Sequence, residues 1–288
     1  MILAKDKAFY KKSSIRISGE LMTFELPRIM GILNINGDSF FDGGAYTETQ
    51  NAVDQCGKML EEGADIIDIG PASSKPGSKL IEPEAEWKIV EPILKALKEE
   101  FPQAYFSLDT YNSQTAEKSV RQGVHIINDI SGGIIDPRMV DFIGDAKLPY
   151  IMMHMQGLPE NMQLKPAYQN VLKEVAYFFS HQIEAFRRAG AIDIVLDPGF
   201  GFGKSLEHNY TLFNGIDYFQ EIFEMPLLVG ISRKSMINKV LGTKAEDALN
   251  GTTVLNTLAL QKGANILRVH DVKEAVEARK ILNFSQKF

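Results

Sequence analysis

The chain has 288 residues, of which 44% are hydrophobic and 24% charged, as is ordinary for a globular protein with one large core. The net charge of −6 gives no overall positive field, which argues against binding to nucleic acid or to an anionic membrane. A single cysteine, Cys56, excludes an internal disulfide framework and a cysteine-rich metal site, and we expect it to be a buried small hydrophobe. A run of roughly 18 apolar residues and the apolar core of a signal peptide are both lacking, so a cytoplasmic protein is expected.

Residues 1–27 differ in pattern from the rest of the chain. The partly alternating apolar and polar residues over 13–26 predict a short β-hairpin that forms an N-terminal extension. From residue 28 onward, strand and helix patterns alternate. Short apolar runs predict strands over 30–35, 64–70, 104–110, 125–130, 149–155, 193–197, 226–232 and 265–271. Helical spacing predicts helices over 47–63, 83–100, 113–123, 136–146, 170–190, 206–222, 234–242, 245–263 and 272–284.

Eight strands, each followed by helix, predict a (β/α)8 TIM barrel that occupies residues 28–288 as a single domain. A doubly wound open sheet is the alternative, but eight regular units that end near the C-terminus favour closure. The longest loops follow the first, second and fifth strands. In a barrel these loops lie on the C-terminal face, where catalytic loops are found.

Polar side chains end several of the predicted strands, and the stretch 191–205 shows the pattern most clearly. There a buried strand ends in Asp197 and is followed by a glycine-rich turn. Asp109 and Asn128 occupy the same position on two earlier strands. Together, carboxylate acceptors and an amide suit the aminopyrimidinone edge of a flat ring such as pterin or guanine. The alternative for each residue alone is a structural hydrogen bond inside the barrel.

A second group of residues suits an anion. Ser232, Arg233, Lys234 and Ser235 follow the seventh strand at a helix start, and barrels often bind phosphate near strands seven and eight. Arg268 and His270 occupy alternate positions of the eighth strand, so their side chains point to the same side.

Other motifs are weaker. The segment 199–205, GFGFGKS, matches neither a Walker A motif nor a full dinucleotide fingerprint. Asn34 ends the first strand, and the loop after it, with Asp38 and Asp42, is either a ligand-covering loop or an ordinary connection. His154, Met155 and Gln156 end the fifth strand. They are candidates for the wall of the pocket, and the alternative is that they have no part in it.

Seven short motifs in a fixed order resemble the dihydropteroate synthase family, and the match extends from about residue 28 to residue 282. They are MGILN with DSFFDGG (30–44), SLDTY (107–111), IINDISGG (126–133), MHMQG (153–157), DPGFGFGK (197–204), GISRKSMI (230–237) and ILRVHDVKEA (266–275). The resemblance implies a usually dimeric (β/α)8 barrel. It also implies that 6-hydroxymethyl-7,8-dihydropterin pyrophosphate condenses with 4-aminobenzoate and releases pyrophosphate, with Mg2+ as cofactor.

The resemblance also assigns site residues by matching motifs. Pterin would be bound by Asp109, Asn128, Asp197 and Lys234. Pyrophosphate would be bound by Asn34, Ser74, Arg268 and His270, with Asn34 also contacting Mg2+. The aminobenzoate pocket, where sulfonamides bind in the family, would be shaped by Pro76, Phe202 and Ser235. The catalytic set implied in this way is Asn34, Asp38, Lys234, Arg268 and His270.

The chain departs from the family pattern in its first two loops. Asn36-Gly37 replaces Thr-Pro, Ala72 replaces a glutamate and Lys75 replaces an arginine, which removes a bidentate donor. Gln156 stands where arginine is common. Because the pterin residues are intact and the loops are altered, a weakly active or non-catalytic pterin-binding homologue is the main alternative. A methyltransferase acting on methyltetrahydrofolate with a corrinoid partner is a third, disfavoured by the anion-binding residues.

Overall fold

The computed structural model describes residues 14–35, 45–71, 79–164 and 166–288, and the statements below concern these residues. Eight parallel strands form one sheet: β3 (Arg28–Ile35), β4 (Ile66–Pro71), β5 (Phe106–Asp109), β6 (Ile126–Asp129), β7 (Tyr150–Met153), β8 (Ile194–Asp197), β9 (Leu228–Val229) and β10 (Ile266–Val269). Their order in the sheet is β8-β7-β6-β5-β4-β3-β10-β9. A parallel bridge between Leu196 and Leu227 joins the two ends of this order and closes the barrel.

Helices surround the barrel, because each strand is followed by residues with apolar side chains at helical spacing. They are α1 (Ala45–Glu61), α2 (Pro83–Glu100), α3 (Ser113–Arg121), α4 (Arg138–Ala146), α5 (Val171–Ala189), α6 (Leu206–Asn214), α7 (Ile216–Phe223), α8 (Ser235–Leu241), α9 (Leu249–Gln261) and α10 (Val272–Ser285). In the described part of the chain, none of them is long and apolar enough to cross a membrane.

The predicted barrel and the predicted hairpin are confirmed, although some element bounds differ. The helix expected over 206–222 is two helices, α6 and α7, because the chain breaks at Gly215, which ends the first and precedes the second. The strand expected over 226–232 is only the two-residue β9. Strand β3 begins two residues earlier than expected, at Arg28, and the remaining six strands are one to three residues shorter than expected.

The hairpin closes the N-terminal mouth of the barrel. Strands β1 (Ser14–Ile17) and β2 (Glu20–Thr23) pair in antiparallel fashion, and the backbone N–H of Arg16 donates to Asp193 at 3.2 Å. Ile15 and Ile17 are buried against the innermost apolar layer at the start of the strands: Met30, Ile66, Ile126, Ile151, Val195, Leu228 and Ile266. This apolar layer leaves the C-terminal mouth as the place where polar chemistry occurs.

The main core lies between the strands and the helices. Outward-facing residues such as Ile69 and Leu108 are fully buried in one cluster with Val90 and Leu94 of α2. Cys56 of α1 is also fully buried, as predicted, and its burial raises the pKa of the thiol to about 12. The thiol is therefore a packing group with no thiolate character at neutral pH.

Candidate active site

The polar residues predicted at the strand ends meet at the C-terminal mouth. Asp109 is the last residue of β5 and pairs in register with Asn128 of β6, and both side chains are buried. Asp197 ends β8 and is also buried. Arg268 lies on β10 and is the cation at their centre. A buried carboxylate is costly unless it is paired, so the contacts of these groups decide what the site can bind.

Arg268 joins two buried carboxylates. Its Nε donates to Asp68 Oδ2 at 2.6 Å, and its Nη2 donates to Asp109 Oδ2 at 2.9 Å. Asn128 Nδ2 donates to the same Asp68 oxygen at 3.0 Å. Asp68 Oδ1 is buried and has no hydrogen-bond partner among the described residues. Asp68, in the middle of β4, is therefore the residue that holds Arg268 and Asn128 together.

Asp109 is poised to carry a proton. Its burial raises the pKa of the carboxyl to about 7, although the neighbouring Arg268 acts in the opposite direction. At neutral pH the carboxyl exists in both forms. A protonated carboxyl donates a hydrogen bond as well as accepting one, so Asp109 can match either kind of ring nitrogen.

Asp197 and Lys234 form the second half of the site. Asp197 Oδ1 accepts the N–H of Gly199 at 2.8 Å, and burial raises the pKa of the carboxyl while Lys234 lowers it. Lys234 directly precedes α8, where its Nζ donates to the carbonyl of Phe200 and lies 4.8 Å from the centre of the Phe202 ring. Burial lowers the pKa of this lysine to about 8, and Asp197 opposes that shift.

The glycine-rich turn after β8 packs directly on the backbone that follows β7. Gly199 and Gly203 have positive φ angles of 71° and 62°. A Cβ at Gly199 would lie 1.9 Å from the His154 carbonyl oxygen, and one at Gly203 would lie 2.3 Å from that of Gln156. The turn therefore requires glycine at both positions. It places the Phe200 carbonyl and the half-buried Phe202 ring beside Lys234.

Two further glycines leave space above the carboxylates. A Cβ on Gly70 would lie 3.7 Å from Asp109 Oδ2 and 3.8 Å from Asn34 Oδ1. A Cβ on Gly230 would lie 3.8 Å from Arg268 Cβ and 4.0 Å from Asp197 Oδ2. Because neither position carries a side chain, only backbone lies beside the acidic residues at these two points. The exposed Asn34 borders the same space.

The neighbouring surface at the rim is less cationic than the sequence suggests. His270 Nδ1 lies 3.0 Å from Ser232 Oγ, and burial together with Arg268 and Arg233 lowers the pKa of the imidazole to about 4. His270 is therefore uncharged at neutral pH. Arg233 donates through Nε to Asp271 at 3.0 Å, so its charge is already paired. A cavity of about 480 Å3 adjoins these groups and is lined by Asn34, Arg233, His270 and residues of α1.

The structure thus brings together most of the predicted site residues: Asn34, Asp109, Asn128, Asp197, Phe202, Lys234, Arg268 and His270. Ser235 is exposed at the first position of α8, next to Lys234 in the chain. Asp38, Ser74 and Pro76, with the altered positions 36, 37, 72 and 75, lie outside the described residues. His154, left open above, is buried against Lys204.

Sequence reasoning missed two residues, Asp68 and Lys204. A signal for Asp68 was available, because a carboxylate between isoleucines in a fully buried strand must have a buried partner. Lys204 is only 3% exposed although lysine is rarely buried. Its place in a glycine-rich turn gave no sign of that burial.

The fold and the site define a class: a barrel protein that binds a flat heterocycle rich in N–H groups beside an anionic group. Residues 30–270 match the model of the family described as pterin binding enzyme. The chain belongs to this family, as the sequence motifs predicted.

Similar proteins include curated and structurally characterised relatives. The dihydropteroate synthase of Escherichia coli strain K12 is 40% identical over 266 residues, which cover 92% of this chain and 93% of that protein. The Yersinia pestis dihydropteroate synthase, solved as a complex with a sulfonamide drug, has a TM-score of 0.88 at 38% identity and covers 96% of this chain and 100% of its own. The Xanthomonas albilineans dihydropteroate synthase with 4-aminobenzoic acid has a TM-score of 0.87 at 34% identity and covers 96% of this chain and 99% of its own.

Proposed function

We propose that this chain is a dihydropteroate synthase. It would condense 6-hydroxymethyl-7,8-dihydropterin pyrophosphate with 4-aminobenzoate, transfer the pterinylmethyl group to the amine and release pyrophosphate. The observation that carries the proposal is the convergence of Asp109, Asn128, Asp197, Lys234 and Arg268 at one barrel mouth, in a chain 40% identical to a dihydropteroate synthase over most of its length.

The pterin would lie in the space left by Gly70 and Gly230. Its amino and ring N–H groups would donate to Asp197 and Asp109, and Asn128 would offer a donor and an acceptor to the same ring. Asp68 would act through Arg268 and Asn128, which it holds in place. This arrangement satisfies buried carboxylates with ligand N–H groups, which is why we expect tight and selective pterin binding.

The pyrophosphate would lie toward Asn34, His270 and the second loop with Ser74. His270, being neutral, would contribute hydrogen bonds, whereas positive charge would come from Arg268 and Lys234. Within the described ranges no cluster of three or more His, Cys, Asp or Glu side chains can hold a metal ion. That composition still fits Mg2+, which is often bound through substrate phosphates and water with few protein ligands. Asn34 would be the protein ligand, and bound Mg2+ would neutralise charge on the leaving group.

The aminobenzoate would lie against Phe202, with Pro76 and Ser235 completing the pocket, and we expect a sulfonamide to compete there. Its amine is a nucleophile without deprotonation, so the residues need to align it and not to activate it. A dihydropterin supports positive charge at its exocyclic carbon when pyrophosphate leaves. That charge would spread into the ring whose N–H groups the buried carboxylates accept, so electrostatic stabilisation is the main contribution we expect from the site.

The resemblance supports three further proposals about organisation. The protein would be a cytoplasmic homodimer, and residues 1–27 would form an extension of a single barrel domain over 28–288. Light scattering coupled to size exclusion would test the dimer, with a mass of twice 32.2 kDa expected.

A pyrophosphate-release assay with both substrates, with and without Mg2+, tests the function. We expect release that depends on 4-aminobenzoate and on Mg2+. Calorimetric binding of the pterin substrate without any turnover would instead support the non-catalytic pterin-binding homologue. Absence of pterin binding would contradict the proposal altogether.

The pH profile offers a test of Lys234. Because burial lowers the pKa of Lys234 to about 8, the side chain loses its charge as pH rises through that value. We therefore expect kcat/KM for the pterin substrate to fall above about pH 8, and the fall to disappear in Lys234→Met, whose activity is low throughout. A wild-type profile that stays flat to about pH 10 would contradict this assignment.

A further inference from the structure

Lys204 is a buried amine with no role in the site described so far. It is 3% exposed and makes no salt bridge among the described residues. Its Nζ lies 2.8 Å from the Gly199 carbonyl oxygen, 3.0 Å from that of Phe202 and 3.3 Å from that of His154, and 3.0 Å from His154 Nδ1. Burial lowers the pKa of Lys204 well below its usual value. Burying a lysine is costly, so its contacts need an explanation.

These contacts bind the two ends of one short segment. The carbonyls of Gly199 and Phe202 bracket the turn after β8, and His154 follows β7, on which the turn packs. Lys204 therefore ties the turn to the neighbouring strand. Because three of the five residues over 199–203 are glycines, the turn has little stiffness of its own.

The same turn is also contacted by Lys234. Its Nζ donates to the carbonyl of Phe200 and lies over the ring of Phe202. The turn is thus held between two amines, one buried and one facing the pocket. A shift of the turn would move the Phe202 ring and the acceptor of Lys234 together.

We propose that Lys204 is a positioning residue for the second substrate. By holding the carbonyls of Gly199 and Phe202, it fixes the Phe202 ring and the Lys234 amine as one wall of the 4-aminobenzoate pocket. This inference rests on the proposed function. The pterin residues Asp109 and Asn128 lie at the ends of β5 and β6 and are held by Arg268 and Asp68. Asp197 and Lys234 are the pterin residues that contact the turn, through the Gly199 N–H and the Phe200 carbonyl.

The test compares binding of the two substrates by Lys204→Met, a variant that keeps the length of the side chain and removes its donors. A split means that KM for 4-aminobenzoate changes while Kd for the pterin pyrophosphate changes much less. We expect KM for 4-aminobenzoate to rise about tenfold, because small misplacement of a binding wall has effects of this order. The calorimetric Kd for the pterin pyrophosphate should rise less than this, by about threefold at most, because Asp109 and Asn128 keep Arg268 and Asp68 as partners. Lys262→Met is the matched control: Lys262 Nζ donates to the Asn214 carbonyl at 3.1 Å, away from the site, so both constants should stay at wild-type values.

A double variant adds a readout that a general loss of stability would not give. If Lys204 acts through Phe202, the double variant Lys204→Met/Phe202→Leu should raise KM for 4-aminobenzoate by less than the product of the two single-variant rises.

Three outcomes would overturn the proposal: equal rises in KM for 4-aminobenzoate and in Kd for the pterin pyrophosphate, an unchanged KM, or a double variant whose rise in KM equals the product of the single rises. If Lys204→Met does not fold, Lys204→Leu, which also lacks the donors, should give the same split, and failure of both to fold would assign Lys204 a structural role and reject the proposal. Turnover in the wild type with no split in the variants rejects this inference alone, whereas no turnover in the wild type rejects the proposed function and this inference with it.

Discussion

Asp197→Ala is expected to lower kcat/KM for the pterin substrate about a thousandfold or more while the protein stays folded. The carboxylate accepts the Gly199 N–H and is expected to accept ring N–H groups of the pterin. Without it, buried donors of the ligand have no acceptor, and sites built for hydrogen bonding lose factors of about 10^3 to 10^5 in this way. Stability should change little, because burial already disfavours the charged carboxylate.

The same strand supplies a matched control. Asp193 precedes β8 at the opposite mouth and accepts the backbone N–H of Arg16 at 3.2 Å. Asp193→Ala removes an equally buried carboxylate from the hairpin contact, so we expect some loss of thermal stability with kcat/KM unchanged. Steady-state kinetics and thermal melts of both variants make the comparison. An Asp197→Ala enzyme that keeps a tenth of wild-type activity, roughly, would contradict the role of Asp197.

Arg268→Leu is expected to lower the free energy of unfolding by about 3 kcal/mol or more at pH 8, and to abolish activity. The guanidinium is the shared partner of Asp68 and Asp109, whose side chains are 0% and 4% exposed. Removing one member of a buried ion pair leaves the other charges without compensation. The loss should therefore exceed what the missing packing of one side chain costs.

The destabilisation by Arg268→Leu should depend on pH in a definite direction. The pKa of Asp109 is raised in the folded state, from 3.8 to about 7, so ionising it opposes folding. This cost is absent below about pH 4 and complete above about pH 7. Since Arg268 lowers the pKa of Asp109, its loss raises that pKa further and enlarges the cost. Urea unfolding should then show a small difference between variant and wild type near pH 4 and the largest difference above pH 7.

Arg279 is the control for Arg268. Its side chain is 16% exposed, against 19% for Arg268, and it pairs with Asp65 at 2.7 Å near the opposite mouth. In Arg279→Leu, Asp65 keeps Arg28 at 3.1 Å, so we expect a smaller loss of stability and normal turnover. Indistinguishable unfolding curves for the two leucine variants at pH 8 would contradict the account of the Asp68–Arg268–Asp109 group.

The barrel and the strand-end residues could be predicted because both follow from local pattern. Buried strands such as 194–197 are short apolar runs, and the residue after the last apolar position, here Asp197, falls at the barrel mouth. The helix over 206–222 was wrong in one respect, since Gly215 divides it. A lone glycine inside an apolar pattern gives no reliable indication of a break.

The electrostatics of the site could not be predicted, because they depend on which strands become neighbours in space. Arg268 follows Asp68 by 200 positions, and the fold brings them to 2.6 Å because β4 and β10 are the two neighbours of β3. The neutral state of His270 and the pairing of Arg233 with Asp271 depend in the same way on β9 and β10 being neighbours in the sheet. Lys204 was missed for a related reason: its partners are backbone carbonyls, which leave no trace in residue identity.

A crystal structure of the protein with 6-hydroxymethyl-7,8-dihydropterin pyrophosphate, or with a stable pterin analogue, addresses the central claim most directly. We expect the ring in the space beside Gly70 and Gly230, with its N–H groups on Asp109 and Asp197 and the amide of Asn128 in contact. A ring bound outside this mouth, or one that leaves both carboxylates without a ligand donor, would contradict the account.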